Sequence, residues 1–249
     1  FAPLITSFDR DSIDLMNIES APNSLHILGT DELGRDVFTR LLYGGRVSLG
    51  VALCATVIQL LIGVSLGCIS GFYGKLVDNV IMRGVDIVMC FPFFVIAITI
   101  AALFGASVWN IILIIGCLQW TGVARIVRSK ILSLKQNEFI EAARAMGLSN
   151  FEIITKHLLP NVLSPIIVNA TLNVATGILM EAGISFLGLG VKQPQPSWGN
   201  MLSAAQSMRV LQYEWWLWIP AGLFVFLSVL CINFVGDGLR DALDPKMKI

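Results

Sequence analysis

Residues 47–70, VSLGVALCATVIQLLIGVSLGCIS, run without a single charged side chain. A helix of about 24 residues rising ~1.5 Å each reaches about 36 Å, enough to cross a bilayer core of about 30 Å. Between Asp86 and Arg125 no charge occurs either. That stretch is too long for one crossing, and FGAS at 104–107 breaks it, so helices are expected at 87–104 and 108–125. Residues 162–189, interrupted only by Glu181, and residues 215–236 supply two more. Backbone amides left unpaired in lipid cost several kcal/mol, so runs of this kind must be helices. The expected fold is an all-α polytopic membrane bundle with five visible spans.

Composition agrees with that reading. Hydrophobic residues make up 55% of the chain, charged residues 14%, and the mean hydropathy is +0.77. Lys plus Arg and Asp plus Glu both number 17, so no basic face invites nucleic acid and membrane lipid is the expected surrounding. Cys54, Cys68, Cys90, Cys117 and Cys231 lie in or beside apolar runs without CxxC spacing and read as small packing residues rather than metal ligands. Gly50, Gly63, Gly67, Gly177 and Gly183 are expected to let neighbouring helices approach closely.

The basic residues orient the chain. With residues 1–46 outside, the inner segments hold Lys75, Arg83, Arg125, Arg128, Lys130, Lys135, Arg144, Lys156, Arg240, Lys246 and Lys248. The outer segments hold only Arg10, Arg35, Arg40, Arg46, Lys192 and Arg209. Eleven against six puts residues 126–160 and the C-terminus in the cytoplasm and the 190–214 loop outside. Tyr213, Trp215, Trp216 and Trp218 then mark the outer interface at the start of the last span. The chain opens FAPLITSF without Met, and its odd span count starts it outside, so a further helix before Phe1 is expected. The layout is thus an outer segment 1–46 and a transmembrane domain 47–249.

Within the cytoplasmic segment, EFIEAARAMGLSNFEIITKHLLPN (138–161) is too short and too polar to span. Phe139, Ala142, Ala143 and Met146 recur at helical spacing, and Gly147 suits the left-handed residue that ends a helix. Ser149 with Glu152 forms a capping box for a second helix, whose buried stripe is expected to be Phe151, Ile154, Thr155 and Leu158. The first helix either rests on lipid headgroups or meets another protein. Small Ala142 and Ala143 favour the protein surface, with Glu141 and Arg144 at its rim.

Other polar residues stand out against the apolar background. Asn169, Asn173 and Thr176 share one face of the fourth span, bordering a translocation cavity or bonding between helices. Glu181 lies in the same span near its outer end, as a gate element, a proton-coupling group, or a carboxylate bonded to an outer residue such as Arg35 or Arg46. In the outer segment Asp31 with Arg35 and Asp36 with Arg40 are i, i+4 pairs on an expected surface helix. In the 190–214 loop Ser197 is the expected cap of a short helix. After the last span come Asp237, Arg240, Asp241 and Asp244, read as internal pairing of Arg240 or as a partner contact.

EAA, three residues, Gly, then ten residues and Leu-Leu-Pro resembles the EAA loop of ABC importer membrane subunits, with His157 where many members carry Ile. LGTDELGRDVFTRLLYGGRVSLG (28–50), ISFLGLGVKQPQPSWGNML (184–202) and VGDGLRDALDP (235–245) are similar in order and spacing to signatures of the dipeptide, oligopeptide and nickel permease branch. The resemblance implies six spans, a bacterial or archaeal cytoplasmic membrane, a second related permease, two ATP-binding cassette subunits and an extracytoplasmic binding protein. It assigns Glu141, Ala142, Ala143, Arg144 and Gly147 to ATPase coupling, with ATP and Mg held on the partner ATPases and no cofactor on this chain. The implied cargo is a peptide, with nickel or a metal chelate as the alternative. No G-x-x-x-x-G-K-[ST] motif occurs, and GFYGK at 71–75 has the wrong spacing, so ATP is not expected here. A secondary transporter would want a charged relay at the membrane midplane, where only Gln59 and asparagines are found. An intramembrane enzyme would want a catalytic His, but His26 and His157 both lie outside the apolar runs.

Overall fold

The computed structural model describes residues 2–243, so Asp244, Lys246 and Lys248 of the C-terminal group lie outside the described residues. Every regular element among the described residues is a helix, with one isolated bridge between Thr30 and Asp36. A short α1 (Ala2–Ile5) precedes the outer segment, which leads into α2 (Val37–Tyr73). Asp36 caps α2, its carboxylate accepting from the Thr39 amide and hydroxyl at 2.7 Å each. This cap starts the helix well before the charge-free run, because Arg40 and Arg46 are accommodated in its first turns.

The next elements are α3 (Lys75–Cys90) and α4 (Phe93–Phe104), bent by 81° where an unbroken helix over 87–104 was expected. Pro92 removes a backbone donor and disfavours helix at Phe91, and Phe91 is extended at φ −95° and ψ 134°. The bent pair makes the fifth span if counted as one, beside four helical stretches long and apolar enough to cross a membrane by themselves. One of these joins α5 (Val108–Leu118) to α6 (Trp120–Leu134) at Gln119, running past the expected end at 125. After α7 (Glu138–Ala145), α8 (Asn150–Glu152) and a π-helical turn Ile153–Leu158 comes α9 (Leu159–Phe186). The short α10 (Trp198–Leu202) and α11 (Met208–Tyr213) form the loop before α12 (Ile219–Leu243).

Helix α2 is the hub of the bundle, packing against α5, α6 and α9, while α12 packs on the other side of α9. Small residues set these distances. Gly63, Gly67 and Gly71 stand four apart on one face of α2 and press onto α6. A Cβ on Gly67 would lie 2.7 Å from the Ala124 carbonyl oxygen and 2.8 Å from Val127 Cβ. On the α9 side Gly177 meets Ala52, and on the α5 side Gly116 meets Ile58. The sequence reading anticipated Gly63, Gly67 and Gly177, and Gly183 lies against the Phe94 ring. Gly50 faces open space and serves no helix contact. Of the five cysteines only Cys68 is buried in packing; Cys54, Cys90, Cys117 and Cys231 are exposed on the bundle surface, a correction to their role as packing residues.

The glycine face yields a direct test. Gly67→Leu should destabilise the bundle by about 1–3 kcal/mol through overpacking, read as a lowered melting temperature in detergent. Gly50→Ala, at an open helical position, should leave that temperature unchanged or slightly raised.

Candidate functional site

Helix α7 is built for a defined exit. Gly147 adopts φ +79°, its amide donates to the Arg144 carbonyl at 2.9 Å, and the Leu148 amide donates to the Ala143 carbonyl at 3.2 Å. Together these bonds form the paired closure typical of a glycine-ended helix. The capping box then forms as expected: the Glu152 amide donates to Ser149 Oγ at 3.3 Å, and the Ser149 amide donates to Glu152 Oε2 at 3.1 Å. A helix, a left-handed glycine and a capped second helix follow one another within fifteen residues, from Glu138 to Glu152.

The faces differ from the sequence expectation. Ile140 and Ala143 are the buried residues of α7, packed in a cluster with Phe72, Val127, Ile131, Ile153, Leu158 and Val162. Phe139, Ala142 and Met146 point away from the bundle, Met146 being 71% exposed. On the second segment Ile153 and Leu158 are buried, whereas Phe151 is 74% exposed and Ile154 and Thr155 are half-buried. The π turn explains the second correction, since its wider repeat aligns residues five apart instead of four. Of the five residues assigned to coupling, Ala143 is buried, and Glu141, Ala142, Arg144 and Gly147 are exposed. The stripe read as meeting lipid or a partner does lie on the outward surface of α7, except Ala143, which turns inward with Ile140.

The seat of α7 is firm. The Arg144 guanidinium lies 5.7 Å from the centroid of Phe72, the penultimate residue of α2. Lys135 approaches the same ring at 5.8 Å and donates to the Phe72 carbonyl. Nearby, Asp78 of α3 accepts from Arg128 Nε at 2.5 Å and Nη2 at 2.6 Å, and from the Ser70 hydroxyl at 2.5 Å. This bidentate pair ties α3 to α6 and α2 at the end that carries α7. Sequence reasoning missed the pair, because its partners lie fifty positions apart on different helices.

On α9 the Asn173 amide donates to Asn169 Oδ1 at 3.2 Å, with both residues half-buried. Thr176 is exposed and turns its hydroxyl to the Leu172 carbonyl of its own helix. The asparagines therefore meet, and Thr176 joins them by face but not by contact.

Glu181 is fully buried. Its carboxylate accepts from Ser48 Oγ of α2 and Ser185 Oγ of α9, each at 2.6 Å, rather than from Arg35 or Arg46. Hydrogen bonds to a charged group contribute roughly 1.5–3 kcal/mol each, and an unpartnered buried carboxylate is costlier still. Arg35 and Arg40 are instead committed elsewhere. Arg35 Nε donates to Asp31 at 2.7 Å, Arg40 Nη1 donates to the Pro194 carbonyl at 3.2 Å, and both guanidinium groups reach Gln193 Oε1. The expected pair of Asp36 with Arg40 does not form, because Asp36 caps α2 and meets His26 Nδ1 at 2.9 Å. Nor is this segment an exposed surface helix: Arg35, Asp36 and Arg40 are buried in a loop and the first turn of α2. Ser197 does cap its helix, accepting from the Asn200 amide at 3.1 Å.

One end of the bundle thus carries a presented helix and the other a locked loop, the arrangement of a transporter's membrane subunit. Residues 63–249 match the family model described as binding-protein-dependent transport system inner membrane component. The chain belongs to that family. It is 46% identical over 248 residues to the dipeptide transport system permease protein of Alkalihalophilus pseudofirmus, covering 100% of this chain and 81% of that one. It is 40% identical over 248 residues to the oligopeptide transport system permease protein of Bacillus subtilis, again covering 100% and 81%. An inward-facing structure of the MetNI methionine ABC transporter shares the fold, with a TM-score of 0.65 at 20% identity over 82% of this chain and 96% of that one.

The left-handed glycine makes α7 testable by itself. Gly147→Val should cost about 1–2 kcal/mol at this turn and speed amide hydrogen exchange across residues 138–158, leaving α12 peptides unchanged.

Proposed function

We propose that this chain is one of two related membrane subunits of an ATP-driven, binding-protein-dependent importer of peptides, and that α7 is its coupling helix. The observation that carries the proposal is the construction of α7. One face is fixed into the chain's own core through Ile140 and Ala143, and the other offers Phe139, Ala142 and Met146 to a partner between Glu141 and Arg144. An apolar strip with a charged rim fits a cleft in another protein. The partner on that face is an ATPase subunit, which binds ATP and Mg and performs hydrolysis, while this chain transmits motion and contributes no catalytic group.

Orientation follows from charge and grouping. The segments that carry the basic excess gather at the α7 end, where Arg128 meets Asp78 and Lys135 meets Phe72, so this end and the C-terminus face the cytoplasm of a bacterial or archaeal cell. The opposite end, with the Arg35 and Arg40 contacts to the 190–214 loop, receives the binding protein. The half-buried Asn169 and Asn173, with Thr176 beyond them, lie on the translocation path, where side-chain amides are suited to bond a peptide backbone. Peptide is preferred to nickel as cargo because the relatives described above are named for dipeptide and oligopeptide transport.

The test is purification of the tagged chain, within its full transporter, from native membranes. Wild type should retain a second permease and two ATPase chains with peptide-stimulated hydrolysis, whereas Glu141→Arg and Met146→Asp should lose the ATPases or their stimulation. Active peptide uptake by a preparation that contains no ATPase chain would overturn the proposal.

A further inference from the structure

The Glu181 carboxylate sits at a three-way junction that the coupling mechanism does not use. Each serine that bonds it also accepts a backbone amide from the outer loop. Ser48 Oγ donates to Glu181 and accepts from the Trp198 amide at 3.1 Å. Ser185 Oγ donates to Glu181 and accepts from the Val191 amide at 3.3 Å. A hydroxyl has one proton, so pointing it at the carboxylate leaves its lone pairs for the loop. The carboxylate thereby sets the direction of both serines.

The loop is also wedged by shape. The Trp198 indole donates to the Leu41 carbonyl of α2 at 3.0 Å, and its ring lies where a Cβ on Gly45 would stand, 2.7 Å from Cζ2. On the α9 side Gly199 packs so tightly that a Cβ would fall 2.7 Å from Ala182 Cα. The segment around α10 therefore fills the gap between α2 and α9, with Glu181 beneath it and Asn200 bonded to the Val191 and Gln195 carbonyls above.

We propose that Glu181 is a positioning residue that joins α2, α9 and residues 190–202 into one rigid unit. Outer opening during transport then occurs between this unit and the partner permease, never by parting α2 from α9. The absence of a cationic partner supports this. Among the described residues Glu181 makes no ion pair, and its hydrogen bonds come from serine hydroxyls. An arginine at the surface can exchange its carboxylate for water, but a fully buried carboxylate held by serines of two helices has no such exchange unless the loop leaves. Parting the helices would strand the carboxylate, both hydroxyls and two loop amides together.

The experiment is hydrogen exchange mass spectrometry on the complete transporter in lipid nanodiscs, without nucleotide and trapped with ATP and vanadate. Wild-type peptides over 187–202 should exchange alike in both states, within about twofold. Glu181→Ala should speed their exchange by about tenfold or more in both states, with peptides over 138–148 unchanged. Glu181→Gln, which keeps a single acceptor oxygen, should fall between. If Glu181→Ala does not assemble, Ser48→Ala removes only the α2 tie and should show the same loosening. In assembled complexes either alanine variant should raise ATP hydrolysed per peptide imported, which a merely structural role would not move. A rise of about tenfold in wild-type exchange over 187–202 on trapping would overturn the proposal, as would alanine variants with unchanged exchange and coupling. The import readout rests on the peptide-transport reading; the exchange readout does not, so the two can fail separately.

Discussion

Everything in this bundle depends on how closely other helices can approach α2. In lipid there is no hydrophobic gain from bringing two apolar helices together, so association rests on contact between backbones and on the few polar bonds that such contact permits. Gly63, Gly67 and Gly71 turn one face of α2 into a groove for α6, and the meeting of Gly177 with Ala52 does the same toward α9. The polar bonds follow from these distances. Ser48 reaches Glu181, and Arg128 reaches Asp78, because the helices already stand within side-chain length. With bulkier residues on those faces, the same carboxylates would be left without partners inside the membrane.

The two ends of α2 are finished differently. At the Asp36 end the polar groups are enclosed and tied to the chain itself: Asp36 caps the helix, Arg35 and Arg40 converge on the loop after α9, and Trp198 seals the gap above Glu181. At the other end the chain is held more openly. Arg144 and Lys135 lie against the Phe72 ring, and the outward face of α7 is left uncovered by the chain. One end is complete within this chain, and the other has the form of half an interface.

Much of this was legible in the sequence, for physical reasons that differ between elements. The spans could be read because charge is so costly in a bilayer that a charge-free apolar run of about twenty residues marks a crossing almost by itself. Gly147 and the Ser149–Glu152 box could be read because both depend only on neighbours in the chain. The bend at Pro92 carried a local signal too, but its surroundings are so apolar that hydropathy masked it. The outward stripe of α7 was legible too, but Ala143 was grouped with it although it packs inward beside Ile140, because hydrophobicity does not tell a chain's own core from a partner's surface. The π turn and the Ser48 partner of Glu181 have no local signature. The first depends on how Ile153 and Leu158 seat in the cluster around Ile140 and Ile131, the second on residues 133 positions apart brought together by the α2–α9 register.

Helix α2 is 37 residues long and runs without a break from its Asp36 cap to Gly74. At ~1.5 Å per residue it is a rod of about 55 Å, so a tilt of about 5° pivoted at one end sweeps the other through about 5 Å. Phe72, gripped from the α7 side, and Arg40, gripped from the loop side, sit near opposite ends of that rod. A small rotation at the Phe72 end therefore arrives at the Arg40 end as a displacement about the size of a side chain, with no break along α2 in which to be lost.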